Sequence, residues 1–168
     1  MISLLRVDDR LIHGQVAVVW SKFLGATRIV VANDQAASDE TQKMALSMAV
    51  PSNIKAAFKT VDDAVGMLRD PRAEKLNIFV VVASPKDALK LVKGLPEQVN
   101  EVNLGNYGRM NNLEGAKKEQ LSRNIFVTDE DKKDLRMIDE MVNDLYIQTI
   151  PSDSKTQINF GKEIDYDI

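Results

Sequence analysis

The segment NIFVVVASPKDALKLVKG, residues 77–94, decides the fold class. Its solid apolar run Ile78–Val82 is typical of a strand that is buried on both faces of a parallel sheet. Ser84 can cap a helix whose first residue is Pro85, and Gly94 follows the predicted end of that helix. A buried strand that leads directly into such a helix predicts an α/β protein with helices packed over both faces of its sheet.

The same alternation of short apolar strands and longer helices extends along the chain, and the crossovers between parallel strands are expected to be right-handed. Strands are predicted at Ile2–Val7, Arg28–Asn33, Asn53–Phe58, Asn77–Val82, Glu101–Gly105, Asn124–Val127 and Leu145–Ile150, with an edge strand at Thr156–Phe160. We therefore expect one three-layer α/β/α domain spanning residues 1–168, with a mostly parallel central sheet of six or seven strands.

Apolar spacing and capping residues predict the helices between these strands. A helix over Gly14–Leu24 would turn one apolar face to the sheet, formed by Val16, Val19, Trp20, Phe23 and Leu24. Ser38, Thr60 with Asp63, and Thr128 are the predicted N-caps of three further helices. The methionines at helical spacing are expected in the core; they are Met44, Met48, Met137 and Met141.

Composition excludes several classes of function. Zero cysteines exclude a disulfide scaffold and a thiolate metal site, and a single histidine excludes a multi-histidine metal centre. The net charge of −3, with both signs interspersed, provides no basic stripe for nucleic acid. The first residues lack a signal-peptide pattern and no apolar run approaches ~20 residues, so we expect a cytoplasmic protein that does not insert into the membrane.

The loop that follows the first strand carries the most informative side chains. Ligands of open α/β sheets bind at the carboxyl ends of the strands, where this loop holds Asp8, Asp9, Arg10 and His13. A neutral imidazole is nucleophilic, and a guanidinium and a helix N-terminus at Gly14 and Gln15 would stabilise a phosphoryl group. The pattern favours a covalent phosphohistidine at His13. The alternative is a polar turn in which an aspartate caps the helix and pairs with Arg10.

Other loops at the same edge offer weaker candidates. The loop Gly105–Asn112 is rich in glycine and asparagine, which allow a backbone to approach an anion or a docked protein closely. Candidate loop contacts are Asn33, Ser84, Gly105, Asn106 and Arg109. Each of these residues also fits a simple turn or helix cap.

The stretch RVDDRLIHGQV, residues 6–16, closely resembles the active-site segment of a known family. That family comprises the B components (EIIB) of the mannose/fructose/sorbose class of the bacterial phosphoenolpyruvate-dependent sugar phosphotransferase system. The resemblance extends over the chain through its length, its strand–helix alternation, the turn at Asn33-Asp34 and the segment Asn103–Asn106. One departure is the loop after the fifth strand, which often reads Gly-Gly-Met in relatives and here reads Gly105-Asn106-Tyr107-Gly108.

The resemblance implies a phosphocarrier subunit. His13 would accept a phosphoryl group on Nδ1 from the phosphohistidine of an A component and pass it to a sugar carried by the membrane components C and D. Arg10 would assist the transfer and Asp9 would support the loop. The implied enzyme needs no cofactor and no metal, and it associates with the membrane only through its permease. The resemblance leaves the sugar and a homo-oligomer open.

Three other interpretations remain at this level. A signalling receiver domain also ends its first strand in paired acids, but it needs an aspartate after the third strand and a lysine after the fifth. Those places read Phe58-Lys59-Thr60 and Leu104-Gly105-Asn106. A hydrolase using Asp9 and His13 lacks a G-x-S-x-G nucleophile motif. A non-catalytic binder of small ligands would leave the Asp-Arg-His loop unexplained.

Overall fold

Strands and helices alternate along the chain as the sequence pattern predicts. The structure, a computed structural model, describes residues 1–109, 117–158 and 160. The strands are β1 Ile2–Asp8, β2 Arg28–Ala32, β3 Lys55–Lys59, β4 Ile78–Val82, β5 Glu101–Asn106, β6 Glu119–Ser122, β7 Ile125–Val127, β8 Asp144–Ile147 and β9 Thr156–Gln157. The helices are α1 Gly14–Leu24, α2 Asp34–Ser38, α3 Glu40–Met48, α4 Val61–Arg69, α5 Pro85–Gly94 and α6 Asp129–Met141, with a 3-10 turn at Pro71–Lys75.

The central sheet has seven strands in the order β3-β2-β4-β1-β5-β8-β9. Every neighbouring pair is parallel except β8 and β9, which run antiparallel. The predicted α/β class with a mostly parallel sheet is confirmed. The strand predicted at Asn124–Val127 forms outside that sheet: β7, Ile125–Val127, pairs with β6 in a separate antiparallel hairpin, and an isolated bridge joins Ile125 to Tyr107 after β5.

Helices cover both faces of the sheet, and each face buries its own apolar cluster. Leu5 and Val7 of β1 pack with buried residues of α4, α5 and α6. Leu4 points to the other face, where it packs with Trp20 of α1 and Leu46 of α3. This division follows from the two-residue side-chain period of a strand, which sends alternate residues of β1 to opposite faces. Arg6 and Asp8, two and four residues after Leu4, therefore lie on the α1 side.

Most of the predicted caps are confirmed. Thr60 accepts from the Asp63 N–H, Ser84 accepts from the Asp87 N–H, and Thr128 forms a full capping box at the start of α6. Gly94 is the last residue of α5 rather than the residue that follows it.

Ser38 is not a cap. It ends the short helix α2, which Asn33 caps, and Asp39 caps α3 by accepting from the N–H groups of Thr41 and Gln42. Both residues are acceptable caps by type, but only the Asp39 backbone is extended at the boundary, as an N-cap requires.

Several apolar residues predicted to be in the core are exposed. The exposed fractions are 40% for Val19, 67% for Phe23, 69% for Met44, 85% for Met48, 40% for Met137 and 44% for Met141. Trp20 is buried in α1 as predicted, at 1% exposure, whereas in α3 the buried contact comes from Leu46, at 9% exposure, instead of the methionines. The prediction failed because helices on the outer layers of this sheet bury a narrow stripe, and apolar spacing alone does not locate its centre.

The strand order places the loop after β1 at a point where the chain changes direction. The connection from β1 through α1 crosses one face towards β2, whereas the connection from β4 through α5 crosses the other face to β5. A crevice at the carboxyl ends of the strands is expected where neighbouring connections diverge in this way. The segment between β1 and α1 begins in that crevice.

Candidate active site

Five residues, 9–13, form the loop from the end of β1 to the start of α1. The buried side chains of two of them anchor this loop in the core. Leu11 and Ile12 are buried at 6% and 5% exposure, packed against the α1-side cluster. The Leu11 N–H donates to the Asp8 carbonyl at 2.9 Å, and its φ of +62° is in the left-handed region, which costs a residue of this type about 1–2 kcal/mol. The buried pair holds this tight turn, and the residue after it, His13, is exposed.

His13 stands at the N-cap position of α1 without capping the helix through its side chain. The first N–H groups of a helix have no acceptor within the helix, and here they belong to the exposed Gly14 and Gln15. The first turn of α1 contains no acidic residue. The imidazole is therefore next to a helix N-terminus whose partial positive charge is not neutralised by its own first turn.

Arg10 is anchored by Asp8 rather than free in solution. Arg10 donates from Nε to Asp8 Oδ1 and from Nη2 to Asp8 Oδ2, each at 3.1 Å, and its backbone N–H donates to Oδ1 at 3.0 Å. The Asp8 side chain is fully buried, while 36% of the Arg10 side chain is exposed. This two-point pairing fixes the plane of the guanidinium and leaves the N–H groups of Nη1 to another acceptor.

Behind this pair lies a second arginine that is almost entirely buried. Arg6 donates from Nη2 to Asp8 Oδ2 at 3.3 Å, and from Nη1 to Asn103 Oδ1 at 2.6 Å and to the Gln148 carbonyl at 3.2 Å. Burial lowers the pKa of Arg6, and the adjacent Asp8 carboxylate opposes that change. Asn103 of β5 in turn donates to the Gln148 carbonyl at 3.0 Å, so β1, β5 and the residue that follows β8 hold one guanidinium.

Two further residues enclose the Arg6 guanidinium. The Trp20 ring centre is 5.3 Å from Cζ of Arg6, within the range of a cation–π contact. A Cβ on Gly105 would lie 2.0 Å from Cζ and 2.1 Å from Nη2, so only glycine at this position leaves space for the guanidinium. The candidate loop contact Gly105 is thus buried against Arg6 and is not part of the exposed surface.

Asp9 ties the β1 loop to the segment that follows β5. Its carboxylate accepts from Asn106 Nδ2 at 2.8 Å and from the Gly108 N–H at 3.0 Å, and its own N–H donates to the Asn106 carbonyl at 3.0 Å. Arg109 comes next and is exposed. The remainder of the predicted loop, residues 110–112, lies outside the described residues.

The remaining sequence candidates act as helix caps. Asn33 follows β2 and accepts from the Ala36 N–H at 2.8 Å, and Ser84 follows β4 and accepts from the Asp87 N–H at 3.2 Å. Burial, reinforced by repulsion from Asp34, raises the pKa of Asp87.

Sequence reasoning named Arg10, Asp9 and His13, but it assigned no role to Arg6 or Asn103, and it treated Asp8 only as part of the polar loop. The available signal was Arg6 itself, which interrupts the apolar strand Leu4-Leu5-Arg6-Val7. A charged residue inside a central strand is almost always paired, so Arg6 required an acidic partner on the same face. Asp8, two residues further along, is the nearest such residue.

His13 is exposed and does not line the cavity at the other edge of the sheet. That cavity, of about 420 Å³, lies at the opposite, amino edge of the sheet, between α4 and strands β2 and β3. Within residues 1–109, 117–158 and 160, no three His, Cys, Asp or Glu side chains converge as a metal site would. The exposed imidazole is accessible to a reactive group presented by a large partner.

None of the helices in the described ranges is long and apolar enough to cross a membrane.

Comparison with known proteins identifies the family. The family model described as "PTS system sorbose subfamily IIB component" matches residues 2–163. A probable phosphotransferase enzyme IIB component of Streptococcus pyogenes serotype M6 is 41% identical over 162 residues, which cover 95% of this chain and 98% of that protein. The N-acetylgalactosamine-specific IIB component 1 of Escherichia coli is 34% identical over 94% of this chain and 96% of its own length.

Solved structures agree with the sequence matches. The crystal structure of the IIBSor domain of the sorbose permease from Klebsiella pneumoniae superimposes with a TM-score of 0.85 at 29% identity, covering 99% of both chains. The crystal structure of the E. coli N-acetylgalactosamine-specific IIB component 1 gives a TM-score of 0.82, covering 94% of this chain and 99% of that one.

An α/β fold with this sheet order and this β1 loop is thus that of a phosphotransferase component. The chain belongs to the sorbose subfamily of IIB components of the sugar phosphotransferase system.

Proposed function

We propose that this protein is a phosphocarrier that accepts a phosphoryl group on His13 from the phosphohistidine of an A component and transfers it to a sugar. The observation that carries the proposal is the exposed His13 at the start of α1, in the same short loop as an arginine that a buried carboxylate holds in place. Membership of the family supports a general role in sugar transport, and the geometry of the β1 loop supports His13 as the residue that accepts the phosphoryl group.

The first step is a substitution at phosphorus. The lone pair of His13 Nδ1 attacks as the P–N bond of the donor breaks, and the donor imidazole leaves with that bond's electron pair while His13 keeps its Nε2 proton. Nδ1 is the ring nitrogen nearer to the main chain, so a phosphoryl group on it can reach the N–H groups of Gly14 and Gln15. The partly exposed guanidinium of Arg10 is a further donor for the transferred oxygens.

The second step returns the histidine to its starting state. A sugar hydroxyl oxygen attacks phosphorus, the electron pair of the P–N bond returns to Nδ1, and the hydroxyl proton passes to water as the phosphate ester forms. Positioning and charge stabilisation are the main contributions that a protein makes to such transfers. The chain supplies these from Arg10 and the α1 N-terminus.

The partners follow from the family. We propose that an A component donates to His13, that C and D components carry the sugar, and that the protein works in the cytoplasm at the permease. A mannose-specific EIIAB component of E. coli matches this chain over 47% of its own length. An exposed acceptor at a helix N-terminus suits a donor that is itself a protein.

The function is tested by phosphoryl labelling. The protein is incubated with labelled phosphoenolpyruvate, the general transfer proteins and a cognate A component, and NMR identifies the labelled ring nitrogen. We expect one acid-labile phosphoryl group on Nδ1, and none in His13→Ala. Asn33→Ala, which alters a polar side chain at the same edge of the sheet, is the control and should label normally. Persistent label in His13→Ala would reject the assignment.

A receiver domain is not supported. The third strand ends in Lys59 and Thr60 follows it, and β5 ends in Asn106, so neither the phosphoacceptor aspartate nor the lysine of a receiver is present.

A further inference from the structure

We infer that Arg6 and Asp8 are positioning residues for phosphoryl transfer: Asp8 holds the Arg10 guanidinium in place, and Arg6 keeps the charge of the Arg6, Asp8 and Arg10 cluster positive. This inference rests on the proposed function, and nothing in the family comparison assigns a role to either residue. Neither side chain reaches the surface, so both would act through Arg10.

The first argument is geometric. Two bonds of 3.1 Å and one backbone bond of 3.0 Å define the Arg10 guanidinium relative to the Asp8 carboxylate. That carboxylate cannot move, because it is fully buried and Arg6 donates to its Oδ2 at 3.3 Å. Arg6 is fixed by β5 and by the segment after β8. The flexible, half-exposed Arg10 is therefore oriented before any phosphoryl group arrives.

The second argument concerns charge. Arg10 and Asp8 alone form a neutral pair, which would attract a phosphoryl dianion weakly. Arg6 adds one positive charge, so the cluster of Arg6, Asp8 and Arg10 carries a net charge of about +1. Because Arg6 and Asp8 are buried, water screens this charge less than it would screen a surface pair. Arg6 thus offsets the negative charge that anchors Arg10.

The contacts of Arg6 also stabilise a positive charge at this buried position. Asn103 and the Gln148 carbonyl accept from Nη1, and the Trp20 ring adds a cation–π contact. The remaining buried polar atom, Arg6 Nε, has no hydrogen-bond partner among the described residues. Apolar residues of similar volume often replace buried ion pairs without loss of stability. Stability alone therefore does not require an arginine here.

A double-mutant cycle between Asp8 and Arg10 tests the proposal. The variants are Asp8→Asn, Arg10→Gln and the double variant, with Arg28→Gln at the amino end of β2 as the matched control. Rates of transfer from a phosphorylated A component are measured at low and saturating donor. Loss of one positioned charge-assisted contact to a transferring group lowers a rate by ~10²–10³. We expect Arg10→Gln to show that loss in the saturated rate, Asp8→Asn to show a smaller one, and Arg28→Gln to be unchanged.

The decisive result is the double variant. If Asp8 acts through Arg10, adding Asp8→Asn to Arg10→Gln should lower the rate less than about threefold further, because the group it positions is already absent. Multiplicative losses, or normal transfer by Asp8→Asn, would overturn the inference.

Two Arg6 variants separate charge from shape. Arg6→Lys keeps the positive charge and should retain more of the saturated rate than Arg6→Met, which fills similar space without charge. Equal rates in the two folded variants would show that charge at this position has no role.

An NMR measurement on the wild-type protein keeps the proposal testable even if these buried substitutions prevent folding. The Nε–H of Arg10 should exchange with water more slowly, and move less, than that of the exposed Arg123 between β6 and β7. Equal behaviour would refute the anchoring. If wild-type His13 takes no label, the proposed function fails, whereas a labelled wild type with multiplicative losses rejects only the positioning role.

Discussion

Replacing Gly105 by alanine should strongly destabilise the protein. The cause is not backbone strain but the displacement of the buried Arg6 guanidinium from its hydrogen-bond partners. The new Cβ would lie 2.0 Å from Arg6 Cζ and 2.4 Å from Nη1, distances that no rotation of the methyl group relieves. The guanidinium must move, and one displacement weakens its hydrogen bonds to Asp8, Asn103 and the Gln148 carbonyl at the same time.

The size of the effect follows from those bonds. A hydrogen bond involving a charged group contributes about 1.5–3 kcal/mol, and breaking a buried ion pair costs about 3–5 kcal/mol. If the side chain keeps one of its three contacts, we expect Gly105→Ala to lower the free energy of unfolding by about 3 kcal/mol. For a domain of this size the melting temperature should fall by roughly 6–12 °C.

Urea denaturation measures this change, and the slope m should be unaffected because the surface exposed on unfolding is the same. Gly66→Ala is the matched control. A Cβ on Gly66, an exposed glycine inside α4, would meet no atom within 4 Å, so its replacement should stabilise the protein by about 0.5–1 kcal/mol. In an Arg6→Met background, Gly105→Ala should lower the free energy of unfolding much less, because the guanidinium that the new Cβ displaces is absent. An unfolding free energy for Gly105→Ala within about 0.5 kcal/mol of wild type would refute this reasoning.

Two other predictions concern the helices and the surface. Asp39→Ala should lower the free energy of unfolding by about 1 kcal/mol because Asp39 caps α3, whereas Ser38→Ala should change it by less than about 0.5 kcal/mol. Chemical denaturation measures both changes, and a larger loss for Ser38→Ala would show that Ser38 is the cap. Arg72 donates to the Asp70 carboxylate and lowers the pKa of Asp70 to about 2, so an NMR titration should find that midpoint and Arg72→Gln should return it towards 3.8. Because the folded-state pKa is lowered, the contribution of this pair to stability is present above pH 4 or so and lost as the pH falls towards 2. A midpoint unchanged by Arg72→Gln would show that this pair does not set it.

The sequence was sufficient for the architecture because strands and caps are encoded locally. The apolar run Ile78–Val82 and the helix start at Thr128 depend on residues within a few positions of each other, and both are confirmed. Which apolar residues of a helix are buried was not predictable in this way. Phe23 and Met48 have the spacing of core residues, yet whether they are buried depends on which side of α1 and α3 faces the sheet.

The site was predictable only in part, for the same reason. His13 and Arg10 lie in one short loop, so their proximity follows from the sequence. The partners of Arg6 are distributed over β1, β5 and the end of β8, and only the strand order brings them together. A local motif cannot indicate that Gly105 is required for the space occupied by Arg6.

The bond from Arg6 to the Gln148 carbonyl joins residues 142 positions apart, and Trp20 Nε1 donates to the Thr149 carbonyl over 129 positions. Contacts of such long sequence separation form late, because the closure of a long loop costs entropy before any contact compensates it. During synthesis on the ribosome, the amino-terminal half with its histidine emerges well before residues 148 and 149. A nascent or truncated chain would therefore contain the complete RVDDRLIHGQV segment and still lack an ordered Arg10. Under the proposed function, rapid transfer by His13 therefore depends on the main chain at residues 148 and 149 as well as on its own loop.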